Sequence, residues 1–131
     1  KEAGWGRVLT IASSGVVQPI ANLAMSNTIR SSLVGWSKSL SNEVAASGIT
    51  VNMLLPGRIS TERLKQLDAA SAERLGKAGE EVAASEQAGI PAGRYGTVEE
   101  FGAVGAFLLS EPAQYVTGGL IRCDGGSIRG I

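Results

Sequence analysis

The stretch that decides the fold runs from Arg7-Val-Leu-Thr-Ile-Ala12 through Ser13-Ser14-Gly15 and a helical pattern over 21–46 to Ile49-Thr-Val-Asn-Met-Leu-Leu55, closed by Pro56-Gly57. Its two ends are apolar, β-branched runs of strand length. Gly48 stands just past the helical pattern, where a left-handed residue commonly ends a helix. Strand, long helix, strand is the signature of a βαβ crossover. It predicts an α/β fold with a parallel sheet whose ligand edge lies at the carboxyl ends of the strands. Ser13 and the Pro56-Gly57 turn both fall at that edge.

Working outward, Leu120-Ile-Arg-Cys-Asp124 reads as a third strand, closed by Gly125-Gly126. An apolar parallel strand wants neighbours on both sides and helices on both faces, so the strands Arg7–Ala12, Ile49–Leu55 and Leu120–Asp124 predict part of a larger sheet. Lys1–Gly6 reads as the frayed end of a preceding helix plus a turn. The long helix carries Leu33, Trp36, Leu40 and Val44 at three- and four-residue spacing, a stripe that packs on the sheet or on a partner helix. Ser37, Lys38, Ser41 and Asn42 form its polar face. Glu62–Gly89 is rich in Ala, Glu, Lys and Arg and reads as one or two helices broken near Asp68–Ser71, either a lid over the ligand edge or an exposed helical pair. Thr97 is a good N-cap for an apolar and therefore deeply packed helix over Val98–Ser110.

At 131 residues the chain holds one compact domain with one core, and 12 basic residues balance 12 acidic ones. No net field favours nucleic acid or an anionic membrane. The absence of histidine excludes His-based triads, His general bases and His-containing zinc sites; a single cysteine excludes thiolate zinc sites and an intrachain disulfide. No apolar run reaches the ~20 residues needed to span a bilayer. With no signal-peptide pattern at the start and one cysteine, the expected location is the cytoplasm.

Several segments together resemble a known family. Gly6-Arg7-Val8, Ala12-Ser13-Ser14, Gly35-Trp36-Ser37-Lys38-Ser39-Leu40, Gly48-Ile49-Thr50-Val51-Asn52, Pro56-Gly57-Arg58-Ile59-Ser60-Thr61, Tyr115-Val116-Thr117-Gly118 and Arg122-Cys123-Asp124-Gly125-Gly126 stand in the order and spacing of the C-terminal half of a short-chain dehydrogenase/reductase, near the 3-oxoacyl-[acyl-carrier-protein] reductase branch. The resemblance implies half of a doubly wound Rossmann-type sheet over residues 1–131, with the dinucleotide fingerprint of the first half absent. It implies NAD or NADP as cofactor, a small-molecule carbonyl or secondary alcohol as substrate, and a homo-oligomer, dimer or tetramer. It places Ile59 and Thr61 at the nicotinamide carboxamide, and Pro56 and Gly57 in the turn that lets the backbone approach.

The same resemblance exposes a departure. The family's chemistry uses a Ser and a Tyr-x-x-x-Lys on the long helix. Aligned on Leu33 or on Ser13, the Tyr position falls on Ser26 and the Lys position on Arg30, so the implied catalytic set is Ser13, Ser26 and Arg30, with Ser14 able to substitute for Ser13. Arg30 inherits the ribose contact. A phenol has a pKa near ~10 and can be tuned toward neutrality, whereas a serine hydroxyl is a far weaker acid and a guanidinium keeps its proton. Two readings follow: an oxidoreductase with a rebuilt proton donor, or a dinucleotide-binding protein that kept the scaffold and lost the chemistry. Asn52, Arg58 and Arg94 read as structural hydrogen-bonders and Cys123 as packing.

Overall fold

A computed structural model describes residues 1–130. Strand β1 (Gly6–Ile11) leads through a one-turn 3-10 helix (Ser14–Val16) to helix α1 (Ala24–Val44), and Gly48 follows in the left-handed region (φ 71°). Strand β2 (Ile49–Pro56) then precedes α2 (Glu62–Leu75), α3 (Gly79–Ala88), α4 (Val98–Leu109) and β3 (Leu120–Cys123). The sheet is parallel in the order β1-β2-β3, with Gly6↔Ile49 to Ile11↔Leu54 on one side of β2 and Met53↔Leu120 to Pro56↔Cys123 on the other. The predicted crossover and all three strands are therefore present, each within a residue or two of its expected bounds.

Val51, Met53, Leu54 and Leu55 of β2 are fully buried. Ala12, Met53 and Leu55 pack against Leu33 and Val34 of α1. Leu9 and Leu54 lie where a Cβ on Gly105 of α4 would touch them, so α4 covers the sheet as well. Asn52 sits inside this strand at 1 % exposure. Its Nδ2 donates to the Val116 carbonyl (2.7 Å) and its Oδ1 accepts from the Gly119 N–H (3.1 Å). The Val51 N–H donates to Thr117 Oγ1 (3.0 Å). Those three bonds seat the 116–119 turn beside β2 and aim β3 into the sheet.

Several expectations are corrected. Residues 1–5 hold a turn (Gly4 N–H to Lys1 carbonyl) and no helix. The long helix starts at Ala24 rather than Ala21, because Asn22 adopts a left-handed backbone (φ 64°) that breaks the pattern. Its buried face draws on both predicted faces: Val44 of the apolar stripe is buried and Leu33 and Leu40 are half-buried, but Ser37 and Ser41 from the polar set are buried too, while Trp36 is 50 % exposed. Small serines let α1 approach closely, and Ser41 returns its hydroxyl to the Lys38 carbonyl (2.7 Å), so its own donor is met on burial. A Cβ on Gly118 would lie 2.8 Å from Ser41 Oγ, which shows how near the 116–119 turn comes. The last helix has Thr97 as its expected N-cap, extended to a capping box, Thr97 Oγ1 accepting from the Glu100 N–H (3.1 Å) and Glu100 Oε2 from the Thr97 N–H (2.8 Å). It is not deeply packed: Leu108 alone is buried and Phe107 is half exposed. The break expected near Asp68–Ser71 falls at Gly76, left-handed with φ 62°.

Asn52→Ala should leave one buried carbonyl and one buried N–H unpaired, at about 1–3 kcal/mol each, for a total loss of about 2–6 kcal/mol in denaturant unfolding of the intact protein. A loss below about 1 kcal/mol would mean that the 116–119 turn is held by its other bonds alone.

Candidate active site

Ser13 follows β1 directly. Its Oγ caps the 3-10 turn by accepting from the Gly15 N–H (3.1 Å), which leaves the hydroxyl proton free to donate outward. The loop beyond is strapped to α1 by Asn27, whose Nδ2 donates to the Ile20 carbonyl (2.9 Å). One turn later on the same helix face, Arg30 donates from Nε to Ser26 Oγ (3.3 Å) and from Nη1 to the Ala12 carbonyl (3.0 Å). Arg30 thus bonds both Ser26 and the peptide that carries Ser13. The structure gathers these residues at the end of β1.

The second half of the site is the turn after β2. The Gly57 N–H donates to the Cys123 carbonyl (2.9 Å), and a Cβ on Gly57 would stand 2.6 Å from Asp124 Cα. Glycine is required there by the end of β3 itself. Ile59 forms a parallel bridge with Gly96: the Gly96 N–H donates to the Arg58 carbonyl (3.0 Å) and the Ser60 N–H to the Gly96 carbonyl (2.8 Å). In that geometry the N–H and C=O of Ile59 face the opposite way, and neither has a partner among the described residues. Thr61 caps α2 by accepting from the Leu64 N–H (3.2 Å), and its hydroxyl proton is likewise free.

Between these two halves runs a groove of about 860 Å³ whose lining includes Ser13, Ser14, Pro56, Gly57, Ile59 and Thr61. Ser26 and Arg30 are not part of the lining; Arg30 is joined to it through its bond to the Ala12 carbonyl, next to Ser13.

A cluster that sequence reasoning missed closes the far wall. Arg58 Nη1 pairs with Asp68 of α2 (2.9 Å) and Nη2 with Glu86 of α3 (2.8 Å). The Tyr95 hydroxyl donates to the other Asp68 oxygen (2.9 Å). The helical excursion left open as lid or exposed pair is thus pinned at two points to the turn after β2. One signal was legible: Leu64, Asp68 and Ala72 recur at four-residue spacing and are all buried, which puts a carboxylate on the apolar stripe of α2. Burial raises the Tyr95 pKa to about 12, and the bond to Asp68 adds to the shift. At the mouth of α4, Arg94 donates to both Glu100 oxygens (2.8 and 2.6 Å), and with the Thr97 N–H it holds Glu100 down to about 2. Burial pushes the Cys123 thiol up, away from the reactive thiolate.

Residues 1–127 match the family described as Enoyl-(Acyl carrier protein) reductase. The NADPH-dependent reductase BacG of Bacillus subtilis (strain 168) is 35 % identical over 131 residues, 100 % of this chain and 51 % of that protein. The 3-oxoacyl-[acyl-carrier-protein] reductase FabG of Salmonella typhimurium (strain LT2) is 37 % identical over 123 residues, 92 % of this chain and 45 % of that one. The crystal structure of YwfH, an NADPH-dependent reductase involved in bacilysin biosynthesis, superposes with a TM-score of 0.93 at 35 % identity, over 99 % of this chain and 50 % of that one. An actinorhodin polyketide ketoreductase solved with NADPH superposes with a TM-score of 0.89 at 31 % identity, over 96 % and 48 % of the two chains. The chain spans about half the length of the relatives it matches.

In an alkaline absorbance titration the phenolate step near pH 12 should vanish in Tyr95→Phe and move to lower pH in Asp68→Asn, which removes the carboxylate that opposes ionisation. An unmoved step in Asp68→Asn would show that burial alone sets it.

Proposed function

This chain belongs to the short-chain dehydrogenase/reductase family, corresponding to the C-terminal half of its fold, and we propose that the whole protein is an NAD(P)-dependent oxidoreductase acting on a carbonyl or secondary alcohol, with a 3-oxoacyl thioester as a candidate substrate. One observation carries the reading: the unpartnered N–H and C=O of Ile59 share a groove with the free hydroxyls of Thr61 and Ser13. A carboxamide needs one acceptor for its NH₂ and donors for its oxygen, and Ile59 with Thr61 offers that set. Nicotinamide fits these residues. Pro56 and Gly57 hold the turn in place, whereas Arg30, which the resemblance sets at the ribose, lies outside the groove lining. NADPH is the cofactor of BacG of Bacillus subtilis and of the actinorhodin ketoreductase structure, while nothing in this half of the fold selects between NAD and NADP.

When bound, the nicotinamide supplies or accepts the hydride. The residues of this chain manage the oxygen and its proton. Ser13 donates its free O–H to the substrate oxygen and so aligns the carbonyl. Ser26 accepts from Arg30. Neither a serine hydroxyl nor a guanidinium is an acid matched to neutral pH, and neither Ser26 nor Arg30 lines the groove, so the proton comes from water in the groove beside Ser13. The exposed apolar residues Met25, Ile29 and Trp36 of α1, with Phe107 of α4, support the proposal of a homo-oligomer built on these helices.

The test is calorimetric titration of the intact protein with NADH and NADPH, paired with nicotinamide absorbance on β-ketoacyl thioesters. Nucleotide binding with turnover is expected. Ser13→Ala should lower kcat by ~10²–10⁴ with nucleotide affinity retained. Thr61→Val should weaken nucleotide binding by about tenfold, the worth of one lost hydrogen bond. Failure to bind either nucleotide would overturn the oxidoreductase reading.

A further inference from the structure

The cluster at Arg58 holds more charge than a structural clamp needs. Asp68 is the fixed partner: its side chain is 12 % exposed and Tyr95 grips its second oxygen. That pair orients the guanidinium plane. Glu86 is a different kind of partner. Its side chain is 41 % exposed, it lines the groove beside Arg58, and it projects from α3, where Val82 alone is buried. Arg63, a second guanidinium in the groove wall, has no ion-pair partner among the described residues. Of the charged groups lining the groove, two are cations and one is a carboxylate already held by one of them.

We propose that Arg58 is a specificity-determining residue that receives an anionic group, a carboxylate, on the carbonyl substrate, and that Glu86 holds this place until the substrate displaces it. The inference rests on the oxidoreductase reading and names the substrate class for the same groove. Arg58 presents one Nη to Asp68 and the other toward the groove, so an incoming carboxylate exchanges with Glu86 without disturbing the Asp68–Tyr95 side. Charge-assisted bonds from a guanidinium fixed in this way are strong and directional. Arg63 adds a second positive charge along the entry path. The carbonyl then lies toward Ser13 on the opposite wall, so the groove reads both ends of an oxo acid. Displacing Glu86 frees α3 from its pin on Arg58, which couples substrate entry to the position of this helix.

The probes are a series of oxo acids from 4-oxopentanoate to 7-oxooctanoate, each with its neutral methyl ester, titrated calorimetrically into the intact protein with and without NADPH. At least one acid should bind about tenfold or more tighter than its ester, the scale of a hydrogen bond to a charged group. Arg58→Gln should abolish that preference. Glu86→Gln, which removes the competing carboxylate and leaves Arg58 with Asp68, should raise acid affinity several-fold and leave ester affinity unchanged. Equal affinity of acids and esters, binding of neither, or an unchanged preference in Glu86→Gln each overturns the proposal; the last decides it even where Arg58→Gln does not fold. Loss of nucleotide binding is scored separately, against the oxidoreductase reading, because the charge preference is also measured without NADPH.

Discussion

Everything in this molecule hangs on the burial of β2. Val51 to Leu55 have essentially no contact with water, and a strand in that position must satisfy its backbone on both edges. β1 supplies one edge and β3, seated by Asn52 and the 116–119 turn, supplies the other. Since all three strands are parallel, their carboxyl ends are forced to one side. Ser13 and the Pro56-Gly57 turn meet there as a consequence of topology, although they are more than forty residues apart. The close approach of Asp124 to Gly57 then fixes the turn against the end of β3. The ligand edge is therefore a by-product of how the core strand is paired.

This hierarchy explains what the sequence made legible. Strands, crossover and capping box announce themselves locally, through β-branched runs, Gly48 and the Thr97–Glu100 spacing. The site residues at strand ends follow from those elements almost automatically. Burial of helix faces does not. The Leu33/Trp36/Leu40/Val44 stripe is a sound reading of periodicity, but what α1 meets is the narrow space above β2 and the 116–119 turn, where serines fit and Trp36 does not. Helix propensity and hydropathy carry no information about how wide that space is. The same limit applies to α4, whose apolar residues do not find enough surface among the described residues to bury them.

The Arg58 cluster was hidden for a different reason. Its members are spread from residue 58 to residue 95, on a turn, two helices and a loop, and no sequence spacing links them. Only the parallel bridge between Ile59 and Gly96 brings the Tyr95 loop alongside Arg58. That bridge also leaves the polar groups of Ile59 on the side away from Gly96 without partners, so one local contact shapes both the turn after β2 and the charged cluster beside it. The buried carboxylate of Asp68 on an apolar stripe was the single cue in the sequence, and its meaning needed the fold.

Where the resemblance sets a Tyr-x-x-x-Lys pattern this chain carries Ser26 and Arg30, and an arginine there differs from a lysine in geometry more than in charge. An ammonium is a compact point charge, whereas a guanidinium has five N–H groups held in one plane and serves several acceptors at once. Arg30 uses one for Ser26 and one for the Ala12 carbonyl. The carbonyl of Ala12 is the last backbone acceptor before Ser13, and its own N–H is already committed to the Leu54 carbonyl of β2 (3.1 Å). Arg30 therefore completes the bonding of the residue that precedes Ser13 and ties helix α1 to the sheet edge at that point. A lysine there could make one such bond while keeping its charge, but not both from a fixed plane. In this chain the cation of the long helix does two things together: it bonds Ser26 on its own helix, and it ties that helix to the peptide that joins Ala12 to Ser13.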